Sequence, residues 1–241
     1  MTKKRIDNLL VEKGLAESKT KAQAMIMAGD VLADGKVILK AGTLVSQDAE
    51  VSVNEPPPFV SRGGLKLDYA LEQFGLDVRG AVVADIGAST GGFTDCLLKR
   101  GAALVYSVDV GYGQLDYRLR QDSRVIVMDR VNARNMPDIP ERLDLIVIDV
   151  SFISVQKIIP AVTGLLKDEG NIIVLLKPQF EAKRDEVGKG GIIKRPEIHA
   201  RVLGRFVKWI TDNAYRLKGM VGSPIEGASG NREFLALIKL T

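Results

Sequence analysis

One cysteine and one histidine stand in a chain of 241 residues, and these two scarcities exclude much chemistry. Cys96 alone can form neither an internal disulfide nor a cysteine-rich metal site, and with His199 as the single imidazole the usual general base is missing. Any reaction must therefore use carboxylates, lysines or hydroxyls, without a bound metal. No apolar run approaches the ~18 residues of a membrane span, and the opening "MTKKRIDNLLVEKG" is too charged, with too short an apolar stretch, for a signal peptide. The expectation is a cytoplasmic chain with no membrane partner. What is present suits a globular protein: 46% hydrophobic residues can bury one large domain and a small one. A formal net charge of +4 permits an anionic partner without requiring one.

That charge is uneven. Residues 1 to 21 hold Lys3, Lys4, Arg5, Lys13, Lys19 and Lys21 against Asp7, Glu12 and Glu17, whereas residues 22 to 58 hold two cations against five acids. "RIDNLLVEKG" spaces Ile6, Leu9 and Leu10 as a helix and stops at Gly14, while "SKTKAQAMIMAG" starts on a serine cap and stops at Gly29. "DVLADGKVIL" then reads as strand, Asp-Gly turn, strand, and "TLVSQDAEVSV" as a further turn and strand. The prolines of "NEPPPF" form a semi-rigid spacer, which sets the domains at 1–58 and 59–241 with a linker at about 54–60.

The second segment alternates strand and helix. "AVVADIG", "ALVYSVDVG", "RVIVMD", "LDLIVIDVS" and "NIIVLLKP" are Val/Ile/Leu runs with little polar alternation, as in strands covered on both faces. Helical stretches are expected at roughly 91–100, 114–120, 154–167 and 196–213, and "LKGMVGSPI" with "EFLALIKL" reads as an added antiparallel pair. This predicts an α/β fold, a doubly wound and mostly parallel sheet with ligands at the carboxyl ends of its strands, beside a small α+β domain.

The first of those ends is "DIGASTGGF". Its glycines Gly87, Gly91 and Gly92 permit close backbone approach to a ligand, but their spacing matches neither the dinucleotide fingerprint nor a P-loop. Asp85 would repel a phosphate and could support a cationic head such as that of S-adenosylmethionine, with Ser89 and Phe93 of the same stretch as further cofactor candidates. Asp109 ends the second strand, where an acidic residue meets ribose hydroxyls, and Asp129 ends the third, where it could meet an adenine amino group. The three strand-end aspartates with a glycine-rich first loop are similar to class I S-adenosylmethionine-dependent methyltransferases.

The fourth strand ends at Asp149 and the fifth at Lys177, and the lysine is the odd residue. An unpaired ammonium closing a buried strand is costly, so Lys177 must reach solvent, meet a carboxylate, or work. "DVSF" lacks the prolines common in methyltransferases of base amino groups, and Cys96, on the helix after the glycine loop, is badly placed as a nucleophile for carbon methylation. Cys96 and His199 are expected in structural roles, as is Trp209, which shares a helical face with Phe206 and Ile210.

Family resemblance sharpens this reading. "RIDNLLVEKGLAESKTKAQAMIMAGDVLADGKV" resembles the RNA-binding domain shared with ribosomal protein S-four, which implies phosphate contacts from Arg5, Lys19 and Lys21. Lys66, Asp149, Lys177 and Glu233, in that chain order, resemble the catalytic tetrad of the FtsJ-type ribose 2′-O-methyltransferases. With "VSRGGLKL", "DIGASTGGFTD", "DVSFIS", "LLKPQFE" and "GNREF" the chain is similar over nearly its whole length to the TlyA family, called hemolysins by name and ribosomal RNA 2′-O-methyltransferases by activity. The resemblance implies S-adenosylmethionine as cofactor and ribosomal RNA or ribosomal particles as partner. Lys177 would be the base or hydroxyl-orienting group, Asp149 its partner, and Lys66 with Glu233 the pair that positions the ribose. A lysine takes a proton only when neutral, which burial favours and a neighbouring carboxylate opposes. Arg62 and, in "FEAKRDEVGKGGIIKRPE", Lys183, Arg184, Lys189, Lys194 and Arg195 are candidate phosphate contacts. A non-catalytic RNA-binding assembly factor is opposed by the intact tetrad, and a membrane-lytic protein by the lack of a spanning helix.

Overall fold

The computed structural model describes residues 2–54, 57–227 and 229–240, so Glu55 and Pro56 of the expected linker lie outside the described residues. The chain splits into two compact units, Met1–Pro57 and Pro58–Thr241.

In the first unit strand β1 (Lys3–Arg5) leads into helix α1 (Ile6–Glu12), and helix α2 (Lys19–Ala28) follows. Ser18 caps α2 by accepting the Lys21 N–H at 3.2 Å, and Gly29 ends it in the left-handed region at φ 82°. Strands β2 (Val31–Ala33) and β3 (Lys36–Val37) form the expected hairpin across Asp34 and Gly35, whose φ angles of 49° and 73° are those of a two-residue hairpin turn. Strand β4 (Leu44–Ser46) pairs with β1, and β5 (Val51–Val53) with β2. Strand β1 escapes a reading of hydrophobic pattern because its three residues, Lys-Lys-Arg, carry no apolar side chain. Ile6, Leu10, Ala22, Ile26 and Val31 close a small core.

The second unit opens with helix α3 (Gly63–Gln73) and then alternates: β6 (Val82–Ile86), α4 (Gly92–Lys99), β7 (Leu104–Asp109), α5 (Tyr117–Arg120), β8 (Val125–Asp129), β9 (Leu143–Ile148), α6 (Ile159–Val162), β10 (Leu166–Leu176), α7 (Pro178–Glu181), α8 (Pro196–Asp212), β11 (Tyr215–Gly222) and β12 (Phe234–Leu240). The seven strands lie in the order β11-β12-β10-β9-β6-β7-β8. The five from β10 to β8 are parallel, and β12 and β11 are antiparallel additions. Successive residues serve opposite cores. Val83, Val147 and Ile173 pack on the face that carries α3 and α4, whereas Ala84, Ile146 and Ile172 pack on the face that carries α6 and α8. Burial on both faces explains the unbroken apolar runs.

The expected helix at 154–167 is instead a chain of short turns, 3-10 at Val155–Lys157, α6, and 3-10 again at Thr163–Leu165. Pro160, which lacks an N–H, and Gly164 prevent a continuous helix there, and β10 begins already at Leu166. Helix α5 is likewise only four residues long, starting on the Asp116 cap.

Chain order leaves the sheet at β8 and re-enters beside β6 at β9, so the carboxyl ends of β6 and β9 flank a topological switch point, where such folds bind ligands. Each unit encloses its own core, so residues 58–241 alone are expected to fold and melt in one cooperative transition. Calorimetry and near-UV circular dichroism of the truncated chain test this; a product without fixed near-UV signal would show that the sheet needs the first unit.

Candidate active site

Asp85 is the next-to-last residue of β6 and fully buried. One oxygen accepts from the Thr94 hydroxyl at 2.7 Å, while Oδ1 is buried without a hydrogen-bond partner among the described residues. Burial pushes its pKa up to about 7; the Thr94 hydrogen bond opposes this and the nearby Asp149 and Asp109 charges add to it.

The glycines of the following loop are required by the protein itself. A Cβ on Gly87 would lie 2.3 Å from the Asp149 carbonyl oxygen, one on Gly91 2.3 Å from Leu119, and one on Gly92 2.2 Å from the Ser61 hydroxyl. Gly87 and Gly91 also have φ of 87° and 96°. The loop's tight packing alone requires glycine at these positions, and Gly91 in particular faces Leu115 and Leu119. Ser89, at a strained φ of 48°, donates its N–H to Asp109 Oδ2 at 2.8 Å, and Gly111 donates to Oδ1 at 2.7 Å. Asp109 is thereby fixed at the end of β7 with lone pairs still free.

A cavity of about 500 Å³ opens beside this loop, lined by Ile86, Gly87, Ser89, Asp109, Gln114, Asn132, Arg134, Asp149 and Phe152 among others. Asp129 stays out of it. Its carboxylate is taken by the Arg120 guanidinium, which holds its pKa down, and by the Gly113 N–H. Val131, Asn132 and Arg134, just beyond the strand end, line the wall where Asp129 was expected. The available signal was Asn132, which caps the 3-10 turn Ala133–Asn135 by accepting the Arg134 N–H at 3.1 Å.

A second cavity of about 260 Å³ adjoins the first through Gly87, Ser89 and Asp149. It brings together Arg62, Lys66, Asp85, Gly92, Phe93, Asp149, Lys177 and Glu233. Two lysine–carboxylate pairs line it. Lys66 on α3 meets Glu233, just ahead of β12, at 2.5 Å, both nearly buried. Lys177 Nζ is ion-paired with Asp149 Oδ1 at 2.5 Å and also hydrogen-bonds the Ser151 hydroxyl at 3.0 Å. Ser151 is a lysine partner that sequence reasoning missed. At the rim of the larger cavity Phe152 is 91% exposed with φ 64°, its ring 5.1 Å from that of Phe180.

The remaining candidates of the second unit do not line these cavities, and those of the first belong to a separate compact unit. Arg5 is bound by Asp7 through two hydrogen bonds of 3.0 and 2.7 Å, Lys19 lies 3.9 Å from the same carboxylate, and Lys21 is exposed. Lys183, Arg184, Lys189, Lys194 and Arg195 are all exposed along one loop. Cys96 is buried in the core, its thiol pushed up by burial, and Trp209 stacks on Phe206. His199 is buried with its Nε2 unpartnered among the described residues, and burial lowers its pKa. No described helix is long and apolar enough to cross a membrane, and no group of metal-ligating residues occurs among the described residues.

A parallel sheet with an antiparallel β12, a glycine loop after its first strand and an acidic residue ending its second defines a methyltransferase fold. The model of the FtsJ-like methyltransferase family matches residues 59–240, and that of the S4 domain residues 4–51. The chain is 42% identical to the 16S/23S rRNA (cytidine-2′-O)-methyltransferase TlyA of Mycobacterium tuberculosis, covering 98% of this chain and 89% of that one. It is 43% identical to Hemolysin A of Brachyspira hyodysenteriae, over 96% of this chain and 98% of that one. A solved Streptococcus thermophilus structure carrying a hemolysin name superposes with a TM-score of 0.76 at 42% identity, covering 100% of this chain and 90% of that one. The chain therefore belongs to the FtsJ-like methyltransferase family, among its TlyA members.

Asp85 offers a test that needs no ligand. Its folded-state pKa of about 7 lies above the ordinary value of an aspartate carboxyl, about 3.9. Between those values the folded chain keeps a proton that the unfolded chain has released, so stability falls as pH rises through this window, and the full cost is present above it. Asp85→Asn removes the titration. Its stability relative to wild type, read by denaturant unfolding, should improve between pH 4 and pH 8 by up to about 4 kcal/mol; a pH-independent difference would mean that Asp85 ionises normally.

Proposed function

We propose that the protein transfers a methyl group from S-adenosylmethionine to a ribose 2′-hydroxyl of ribosomal RNA. The observation that carries this reading is the pairing of two lysine–carboxylate couples, Lys66–Glu233 and Lys177–Asp149, in one cavity that opens onto a larger one of nucleoside size.

Groups with unused hydrogen-bonding capacity support a place for the donor. Asp85 Oδ1, buried and unpartnered, suits the cationic amino-acid end of S-adenosylmethionine, and the free lone pairs of Asp109 suit ribose hydroxyls. Apolar Ile86, Val108, Val131 and Ile158, with Asn132, suit an adenine ring. When bound, the cofactor supplies an electrophilic methyl group.

The chain's own residues have three tasks. A 2′-hydroxyl is a poor nucleophile at neutral pH and needs a base near its oxygen. Lys177 Nζ, positioned by Asp149 and Ser151, is suited to orient that hydroxyl and, in its neutral form, to take the proton. Lys66, locked by Glu233, can donate a hydrogen bond to the ribose and set its angle of approach. Phe152 and Phe180 offer aromatic surface at the rim on which an unstacked base could rest. Arg62 and the cations of the 183–195 loop supply phosphate contacts, which fix position without reading sequence. The small unit supplies further contacts chiefly through Lys19 and Lys21, since Arg5 is already held by Asp7. The protein acts in the cytoplasm on ribosomal RNA or ribosomal particles, without a metal ion.

Lys177→Met keeps side-chain length and apolar contact but removes the amine. Single-turnover methylation of ribosomal RNA should slow by about 10² to 10⁴ while S-adenosylmethionine affinity stays near wild type. A variant with the wild-type rate would remove Lys177 from the reaction. Asp109→Ala should weaken cofactor binding by roughly 1–3 kcal/mol through lost buried hydrogen bonds, with RNA affinity retained; unchanged calorimetric affinity would exclude Asp109 from the site.

A further inference from the structure

The exposed basic loop and the Lys66–Glu233 pair are joined by one buried amide. Asn231 is 2% exposed and stands two residues before Glu233. Its Oδ1 accepts the Ile193 N–H at 3.0 Å and its Nδ2 donates to the Gly191 carbonyl at 2.9 Å, so both ends of the side chain hold the far half of the loop. Its own carbonyl accepts the Gly227 N–H at 2.9 Å, and a Cβ on Gly227 would lie 2.4 Å from Glu233 Oε1. The turn that Asn231 closes therefore packs directly on the carboxylate that holds Lys66.

The near half of the loop is fixed differently. Glu186, buried, takes Arg201 at 2.9 Å and Arg205 at 2.8 Å, both on α8, and accepts the Lys183 N–H at 2.9 Å. The far half includes Gly190 and Gly191, with φ of 76° and 74°, a backbone that gives little stiffness of its own. Its described polar ties to the rest of the unit run through Asn231, and Lys189 and Lys194 project from this stretch into solvent.

We propose that Asn231 is a positioning residue that couples the basic loop to the Lys66–Glu233 pair, so that RNA phosphates seated on Lys189 and Lys194 fix the carboxylate that orients the ribose. Seating a phosphate on the loop steadies residues 188–194, the amide transmits that order to the 227–233 turn, and Glu233 then holds Lys66 in one place. Methyl transfer is sensitive to such placement, since an error near 1 Å costs up to about a hundredfold in rate. The inference rests on the reading of Lys66–Glu233 as the ribose-positioning pair.

The test compares full-length wild type, Asn231→Ala, Asn231→Asp and Glu233→Gln. Asn231→Asp keeps the acceptor for Ile193 but presents an oxygen to the Gly191 carbonyl. Both Asn231 variants should bind S-adenosylmethionine as wild type does. Trypsin should cut them after Lys189 and Lys194 roughly tenfold faster, and single-turnover methylation at saturating ribosomal particles should fall by about tenfold to a hundredfold. Weaker particle binding with an undiminished saturated rate would overturn the inference, because the amide would then only shape the loop. So would loss of cofactor binding in both variants, which would make Asn231 a general framework residue. Undiminished methylation by Glu233→Gln would overturn the reading of the pair and the inference with it, whereas a slow Glu233→Gln beside fast Asn231 variants overturns the inference alone.

Discussion

The site depends on how closely two central strands approach at their carboxyl ends. Ile86 pairs with Ile148, the Asp149 N–H donates to the Ile86 carbonyl at 2.9 Å, and the Gly87 Cα comes so near the Asp149 carbonyl that any side chain at 87 would collide with it. That contact makes the glycine loop and the aspartate beside the lysine parts of one surface. The neighbouring ladder extends it: Ile148 also pairs with Val174, so β10 carries its chain to Lys177 on the same edge. Asp85, Asp149 and Lys177 thus share a cavity because of strand register alone, before any side-chain attraction acts between them.

The residues at this edge are stabilised poorly for the fold's own sake. A buried ion pair such as Lys66–Glu233 offsets its desolvation cost only partly, and an apolar pair of similar volume is often as stable. Asp85 contributes a carboxylate to the interior with one oxygen unsatisfied among the described residues. Around them Ser89, Arg130 and Phe152 adopt positive φ angles of 48°, 60° and 64°, each a small strain of about 1–3 kcal/mol. The two apolar cores beneath absorb these costs. Unfavourable terms gathered at one edge of an otherwise well-packed sheet mark an arrangement kept for chemistry.

What the sequence made legible follows from which forces act locally. The parallel strands show as apolar runs because both faces are buried, and α2 and the β2–β3 hairpin show because a serine cap, a terminal glycine and an Asp-Gly turn each act within a few residues. Lys177 stood out because a cation at the end of such a run contradicts its surroundings. Less legible were features that depend on a distant partner. Nothing near Gly91 in sequence reveals Leu119 above it, nothing near Asp129 reveals Arg120 across the strand end, and Lys3–Arg5 becomes a strand only because Leu44–Ser46 lies alongside. The Ser151 and Asn231 contacts were hidden for the same reason: hydrogen-bonding residues are common, and only tertiary geometry says which partner each has.

Hydrogen-bond accounting separates the carboxylates that build the fold from those that face a ligand. Asp7 is surrounded by Arg5, Gln23 and Lys19, which hold its pKa well below the usual range, and Glu186 by Arg201, Arg205 and a backbone N–H, which hold it at about 2. Asp129 is similarly engaged. All three are anionic and near basic segments, so composition and spacing alone cannot distinguish them from site residues. Asp85 differs because it keeps a buried oxygen with no donor among the described residues, whereas Asp149 is paired with Lys177. A folded chain rarely leaves such an acceptor unpaired, and the penalty is relieved if a bound molecule brings the donor. By this criterion Asp85 is the carboxylate that leaves room for a ligand's donor, and Asp149, ion-paired with Lys177, lines the same cavity.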